Sequence, residues 1–394
     1  MNNFVFENAT RFYFGTDGIT HVATELMAAG AMKVMVAFGG ASAKRTGVFA
    51  QVAAQVAAAG AELVEFGGIM ANPTLAKVME GAELARAEGV DYVLAVGGGS
   101  VMDCCKMVAL AAVDALPEDE FWAKYFQRFE PVTVSPLPLG IVVTATGTGS
   151  EGNGGGVITN EKTKVKTGAD RPATNARFAV IDPTLTYTVP QGQKISGAYD
   201  SLNHMMEEYF SLPVGDVLAD DLLEAAMGSV VRNLPRVIAD GQDYQAHANL
   251  AWASALAENR VLKCGKQTCF QLHMIEHQVG AFTDCVHGLG LAAIACTYYR
   301  HIYDASDAAL FQFGRFATNV WGISPEGKTA SELAMAGIDA LDAWTREVGA
   351  YRSLSELGVT EEMLDPIADS IVCLPSSLKV LDRDEVRAIL AESM

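Results

Sequence analysis

Three short apolar runs, each closed by glycines or small hydroxyl residues, constrain this chain more than any other feature. Lys33-Val-Met-Val-Ala-Phe38 ends at Gly39-Gly40, and Asp91-Tyr-Val-Leu-Ala-Val96 ends at Gly97-Gly-Gly-Ser100. The third, Leu139-Gly-Ile-Val-Val143, runs into Thr144-Ala-Thr-Gly-Thr-Gly-Ser-Glu151. Runs of this length without alternation suit strands buried on both faces, as in a parallel sheet. A β element is expected at Arg11-Phe-Tyr-Phe-Gly15 and another strand at 62–66. Helical patterns fall at 19–29, 46–59, 74–88 and 101–112. This alternation predicts a mainly parallel sheet with helices on both faces.

The pattern changes after about residue 185. Asp182-Pro-Thr-Leu-Thr-Tyr-Thr-Val-Pro190 reads as a turn-rich connector. Long helical patterns follow at roughly 191–210, 216–237, 244–262, 267–281 and 288–302, then more to the end. Pro190, Pro213, Pro235 and Pro325 read as helix boundaries. The expected organisation is an α/β domain over 1–183 and an all-helical domain over 184–394, which the length of 394 residues accommodates.

Composition excludes some functions. A formal net charge of −19 argues against nucleic acid or an anionic membrane as partner, since both need a basic surface. The cysteines (Cys104, Cys105, Cys264, Cys269, Cys285, Cys296 and Cys373) are odd in number and form no Cys-x-x-Cys. Neither a disulfide framework nor a zinc ribbon is suggested, and a reducing compartment is the simplest setting. No basic-then-apolar leader opens the chain and no apolar run is long enough to span a bilayer. A cytoplasmic enzyme is expected.

Four side chains read as metal ligands. Asp200 and His204 are four apart in Gly197-Ala-Tyr-Asp-Ser-Leu-Asn-His-Met-Met-Glu-Glu-Tyr-Phe210, so a helix places them on one face. His273 follows about seventy residues later, and His287 lies fourteen beyond it. One carboxylate and three imidazoles suit Fe²⁺, Zn²⁺ or a similar ion. The bland alternative for the first pair is a partnered core or surface histidine.

The glycine turns read as cofactor contacts. Gly97, Gly98, Gly99 and Ser100 between a strand and a helix let a backbone approach a pyrophosphate at the helix start, although such a turn also serves simply to reverse the chain. Hydroxyls at the strand end, Thr144, Thr148 and Ser150, suit phosphate or nicotinamide contacts. Asn72-Pro73 is a third candidate; alone it equally marks a helix N-terminus. Gly97-Gly-Gly-Ser100 is not the Gly-x-Gly-x-x-Gly fingerprint and follows the third strand of the series rather than the first, so an ordinary Rossmann assignment is weak.

Together these residues resemble the iron-containing (group III, metal-dependent) alcohol dehydrogenase family. The resemblance rests on Gly97-Gly-Gly-Ser-Val-Met-Asp103-Cys-Cys-Lys106, on the loop from Thr144 to Glu151, and on Asp200, His204, His273 and His287. It rests too on His273-Met-Ile-Glu-His277 through His287-Gly-Leu-Gly-Leu-Ala292. It covers nearly the whole chain and is closest to the butanol-dehydrogenase-like branch of aldehyde reductases. It implies an N-terminal dinucleotide-binding α/β domain, a C-terminal helical metal-binding domain of dehydroquinate synthase-like architecture, a site in the cleft between them, and at least a homodimer. Cys104 and Cys105 depart from the small residues common in the family motif. Cys285, two residues before His287, reads as an inert core thiol or an adventitious soft ligand.

Activity expectations follow. The resemblance implies hydride transfer between NAD(P)H and a small or medium aliphatic aldehyde or alcohol. After 33–38 come Gly39, Gly40 and Ser42, then Lys44 and Arg45, with no acid. This resembles NADP-preferring members, where a lysine also stands at Lys166, so NADP(H) is expected over NAD(H). His277 is the candidate proton relay, or else a core histidine or one that supports the ligands. Asp103 is expected at the nicotinamide end or on a water, or else as a helix-start carboxylate favoured by the dipole. Phe121, Trp122, Tyr125, Phe126, Phe270 and Phe282 are candidate substrate-lining residues, or core. Competing readings are a polyol (glycerol-type) dehydrogenase, a hydroxyacid–oxoacid transhydrogenase, a dehydroquinate-synthase-like lyase, and a nucleotide-binding regulator with a vestigial site.

Overall fold

The computed structural model describes residues 1–215, 217–371 and 376–394, so Cys373 and the Asp216 start of one expected helix lie outside the described residues. Two compact units emerge, Glu7–Val189 and a second made of Pro190–Met394 with Met1–Phe6.

The first unit is α/β. Its chain order is β1 (Arg11–Phe14), α1 (His21–Ala29), β2 (Lys33–Phe38), α2 (Ser42–Arg45), α3 (Val48–Ala58) and β3 (Glu62–Phe66). Then come α4 (Leu75–Glu88), β4 (Tyr92–Gly97), α5 (Gly99–Asp114), α6 (Glu118–Trp122), β5 (Leu139–Val143), the hairpin β6 (Gly155–Asn160) and β7 (Val165–Asp170), and β8 (Phe178–Ile181). Six strands form one sheet in the order β1-β8-β5-β4-β2-β3, every pair parallel. The apolar runs at β2, β4 and β5 are buried almost throughout. That burial explains why they carry no polar alternation.

The strand order makes the glycine turns meaningful. From β2 the chain moves outward to β3, then crosses back to β4 on β2's other side. The carboxyl ends of β2 and β4 therefore flank a topological switch point, where open α/β sheets bind ligands. The strands run in register to their ends, Phe38 opposite Val96. Gly39-Gly40 and Gly97–Gly99 consequently leave the sheet side by side. The hairpin β6–β7 is absent from the sequence expectations. Its antiparallel register, Gly155 with Asp170 through Asn160 with Val165, stands apart from the main sheet.

The second unit is helical: α7 (Gln191–Tyr209), α8 (Leu218–Ala239), α9 (Tyr244–Glu258), α10 (Gln271–Thr283), α11 (His287–Ile302), α12 (Asp307–Arg315), α13 (Ala330–Glu347), α14 (Glu361–Asp369) and α15 (Arg383–Glu392). Its core joins Tyr199, Leu202 and Met206 of α7 to Leu272, Ile275 and Val279 of α10 and Leu291 and Ile294 of α11. Pro235 corrects one expectation, since it lies inside α8 rather than at a boundary. Proline cannot donate to the carbonyl four residues back. Here that carbonyl, Val231 O, accepts the Trp344 indole N–H at 3.2 Å, so the helix continues without an orphaned acceptor. Among the described residues no helix is long and apolar enough to cross a membrane.

Candidate metal centre and nucleotide turns

The centre begins on α7. Helical spacing puts Asp200, His204 and Glu207 on one stripe of that helix, and Asp200 and Glu207 are buried. α10 supplies His273 in its first turn, and α11 supplies His287 as its first residue. Gly288 lets α11 come this close: a Cβ there would stand 2.1 Å from the Ser196 backbone oxygen of α7. Any other residue would push His287 away from Asp200.

Three ring nitrogens converge on one carboxylate oxygen. Asp200 Oδ1 lies 3.5 Å from His204 Nδ1, 3.5 Å from His273 Nε2 and 3.4 Å from His287 Nε2. Ligand atoms about 2.1 Å from one tetrahedral ion stand about 3.4 Å apart, so these separations are those a shared ion imposes. Asp200 Oδ1, His204 Nδ1 and His273 Nε2 are buried and lack a hydrogen-bond partner among the described residues. Burying three such atoms together is costly unless something else satisfies them. The N₃O donor set fits a divalent first-row ion.

Two carboxylates that sequence reasoning missed hold the rings. Glu207 Oε2 meets His273 Nδ1 and accepts the His273 backbone N–H at 3.0 Å, while Oε1 accepts the Leu272 N–H at 2.7 Å. One side chain thus satisfies first-turn donors of α10 and orients an imidazole on it. Glu276 Oε2 does the same for His287 Nδ1, and its Oε1 accepts the Cys285 thiol at 3.8 Å. Cys285 is therefore a buried donor to a ligand-orienting carboxylate. Glu276, His277 and His287 also present clustered donor atoms, but the Glu276 oxygen facing His287 takes its Nδ1 and leaves Nε2 for the centre. The missed signal was spacing: Glu207 follows Asp200 by seven and His204 by three.

Electrostatics match. Burial alone would raise the Asp200 carboxyl, yet the surrounding imidazoles hold it well below the usual range. Burial keeps His204 below its ordinary value despite Asp200. Burial would lower His273 as well, but Glu207 and Asp200 outweigh it and push the imidazole up to about 10. His277 is buried, its ring centroid 5.5 Å from that of His287 and 6.1 Å from that of His273. Phe270 sits edge-on to His204 and His273, at 6.0 and 5.5 Å, with φ 48°. Phe282 is half-buried against the helical core.

In the α/β unit, the loop after β5 packs on the turn before α5. A Cβ at Gly99 would meet Thr148 Cγ2 at 2.3 Å, so only glycine permits this approach. Asp103 and Lys106 on α5 pin the loop. Asp103 Oδ1 accepts the Ser150 hydroxyl at 2.5 Å and Oδ2 accepts the Val157 N–H at 2.9 Å. The fully buried Lys106 ammonium donates to Ser150 O, Ser150 Oγ, Asn153 Oδ1 and Gly155 O at 2.6–3.0 Å. Neighbouring Glu151 is buried with Oε1 unpartnered among the described residues, and burial pushes its carboxyl up to about 7. Gly97, Gly98, Gly99, Ser100, Thr144, Thr148 and Ser150 thus share one carboxyl end of the sheet with Gly39, Gly40 and Ser42. Asn72, at φ 51°, and Pro73 precede Thr74, whose hydroxyl caps α4, and Pro73 O accepts the Thr159 N–H of β6 at 2.9 Å. Lys166 is buried on β7 rather than a surface charge. Burial raises the Cys104 thiol to about 12 and holds the Cys105 thiol well above its ordinary value, so both stay protonated. Phe121, Trp122, Tyr125 and Phe126 pack on one another as buried core.

Comparison with known proteins agrees with both halves. The model of the iron-containing alcohol dehydrogenase matches residues 9–183, and that of the Fe-containing alcohol dehydrogenase family C-terminal region matches 194–394. A probable NADH-dependent butanol dehydrogenase of Bacillus subtilis is 33% identical over 396 residues, covering all of both chains. The NADPH-dependent aldehyde reductase YqhD of Escherichia coli is 32% identical over 91% of this chain and 90% of its own. The crystal structure of an NADH-dependent butanol dehydrogenase from Thermotoga maritima superposes with a TM-score of 0.92 at 36% identity, covering 99% of this chain and 98% of that one.

Proposed function

This chain belongs to the iron-containing alcohol dehydrogenase family, and from that premise we propose that it reduces small or medium aliphatic aldehydes with NADPH, using a divalent ion held by Asp200, His204, His273 and His287. The observation that carries the reading is the convergence of three imidazole nitrogens on Asp200 Oδ1 at 3.4–3.5 Å. When bound, the ion supplies Lewis-acid polarisation of a carbonyl oxygen and the reduced nicotinamide supplies hydride.

The chain's own residues do the rest. Asp200 offsets part of the ion's charge, and Glu207 and Glu276 fix which nitrogen His273 and His287 present. His277 hands a proton to the nascent alkoxide. Residues 1–183 bind the dinucleotide: the turn Gly97–Ser100 takes the pyrophosphate at the start of α5, with Asn72, Pro73, Thr144, Thr148, Ser150 and Lys166 around it. Asp103 and Lys106 keep the Thr144–Glu151 loop in place. Fe²⁺ is the proposed ion, with Zn²⁺ the alternative for the same donors.

The NADPH preference rests on Ser42, Lys44 and Arg45 beside the β2 turn. Relatives are named as NADH-dependent and as NADPH-dependent, so family membership alone does not choose. A homodimer is also proposed, since β1 is an edge strand bearing an exposed Phe14. Light scattering that finds a monomer at working concentration would remove that proposal. For the reaction, purified enzyme is given a panel of short aldehydes, polyols and oxoacids with NADPH or NADH. Aldehydes with NADPH should give the highest kcat/KM. Comparable efficiency with NADH would sink the cofactor preference. Turnover confined to polyols or oxoacids would move the chain to another activity of its superfamily. Product formation with no net change in nicotinamide absorbance would indicate a lyase.

A further inference from the structure

Sequence after β2 supplies two cations and no acid, but the fold brings an acid to them. β2 and β3 pair in parallel with Val36 opposite Glu65. From that register the Glu65 carboxylate reaches Lys44 on α2, Oε2 to Nζ at 2.6 Å. The Lys44 ammonium also lies 5.2 Å from the ring centroid of Phe38 and 5.0 Å from that of Phe49. These contacts hold it beside the turn that closes β2. Lys44 and Glu65 are each about half exposed, at 49% and 48%, so a ligand can reach both. Arg45, the next residue, is exposed as well.

We infer that Glu65 determines dinucleotide specificity: by pairing with Lys44 it withholds that charge from a ribose 2′-phosphate and limits the preference for NADPH. The inference rests on the reading of the β2 turn as the adenosine-ribose subsite. An acid beside the ribose favours its free hydroxyl over a phosphate. Such an acid ordinarily follows the strand itself; here the neighbouring strand delivers it. A phosphate carries nearly two negative charges at neutral pH, and NADH has none at that position. At about 6 Å in water-like surroundings, repulsion of that size changes the binding ratio by about tenfold. Because the pair is exposed, salt should shrink the effect.

The test measures Kd for NADPH and for NADH by nucleotide fluorescence, without substrate, on wild type, Glu65→Gln, Arg45→Met and Glu65→Gln combined with Lys44→Met. At low salt Glu65→Gln should lower the ratio Kd(NADPH)/Kd(NADH) about tenfold. Added salt should erode that gain, and removing Lys44 as well should reverse it. A ratio in Glu65→Gln indistinguishable from wild type overturns the inference. If Arg45→Met weakens NADPH while Glu65→Gln moves nothing, the subsite reading stands and the role of Glu65 falls. If no variant changes either Kd, the subsite reading falls and takes this inference with it.

Discussion

Glu207→Gln probes the support of the metal centre with the least change of shape. The wild-type carboxylate meets His273 Nδ1, accepts the His273 backbone N–H at 3.0 Å and accepts the Leu272 N–H at 2.7 Å. Three donors therefore face two anionic oxygens. In the variant one oxygen becomes an NH₂ and must face a donor, whichever way the amide turns. His273 loses the anion that fixes its tautomer and raises its basicity as a ligand. Loss of such an outer carboxylate typically weakens a metal by about 10- to 100-fold, or about 1.4–2.7 kcal/mol. Losing the charge-assisted bonds to α10 should cost the apoprotein a further ~1.5–3 kcal/mol. The assay is chelator competition with Zn²⁺ or Co²⁺ on metal-stripped protein, paired with urea unfolding of the apoprotein. A Zn²⁺ affinity equal to wild type would refute the argument that Glu207 orients a ligand, even if stability fell.

Other expectations are independent of that one. His277→Ala should lower kcat by about 10²-fold or more while metal content stays near wild type; loss of metal would make His277 a ligand instead. Glu151 has its carboxyl pushed to about 7 from an ordinary 4.5, so the folded state holds a proton that the unfolded chain has released. Its contribution is therefore fully present below about pH 4.5 and lost as pH rises through 7, about 3 kcal/mol in all. Glu151→Gln should unfold at higher urea than wild type at pH 8, and the two should converge toward pH 5; a constant difference would refute the assignment. Trp344→Phe leaves the Val231 carbonyl without the indole N–H that serves it opposite Pro235. It should cost about 1–3 kcal/mol in urea unfolding, and adding Pro235→Ala should recover part of that.

Legibility in the sequence followed a physical divide. Features encoded by local spacing could be read. Apolar runs closed by glycines or small hydroxyl residues became β2, β4 and β5, and the Asp200–His204 pair became one face of α7. What escaped depends on which distant residues meet. Glu207 and Glu276 look like ordinary helix-surface charges until α10 and α11 pack on α7. Glu65 becomes the partner of Lys44 only through the register of β3 on β2. Pro235 reads as a boundary because nothing in its own segment announces that Trp344 will satisfy the freed carbonyl. The β6–β7 hairpin is short, glycine-rich and half polar, so neither periodicity was strong.

The central claim is that Asp200, His204, His273 and His287 hold one divalent ion on which nicotinamide-dependent aldehyde reduction depends. The most direct measurement strips the protein of metal, reloads it anaerobically with Fe²⁺ or Zn²⁺, and follows bound metal and NADPH oxidation with a short aldehyde together. One ion per chain, with oxidation absent before reloading and restored after it, is the predicted result. Oxidation that proceeds equally in stripped protein, or an ion that binds as well in an Asp200→Ala variant, would contradict the account.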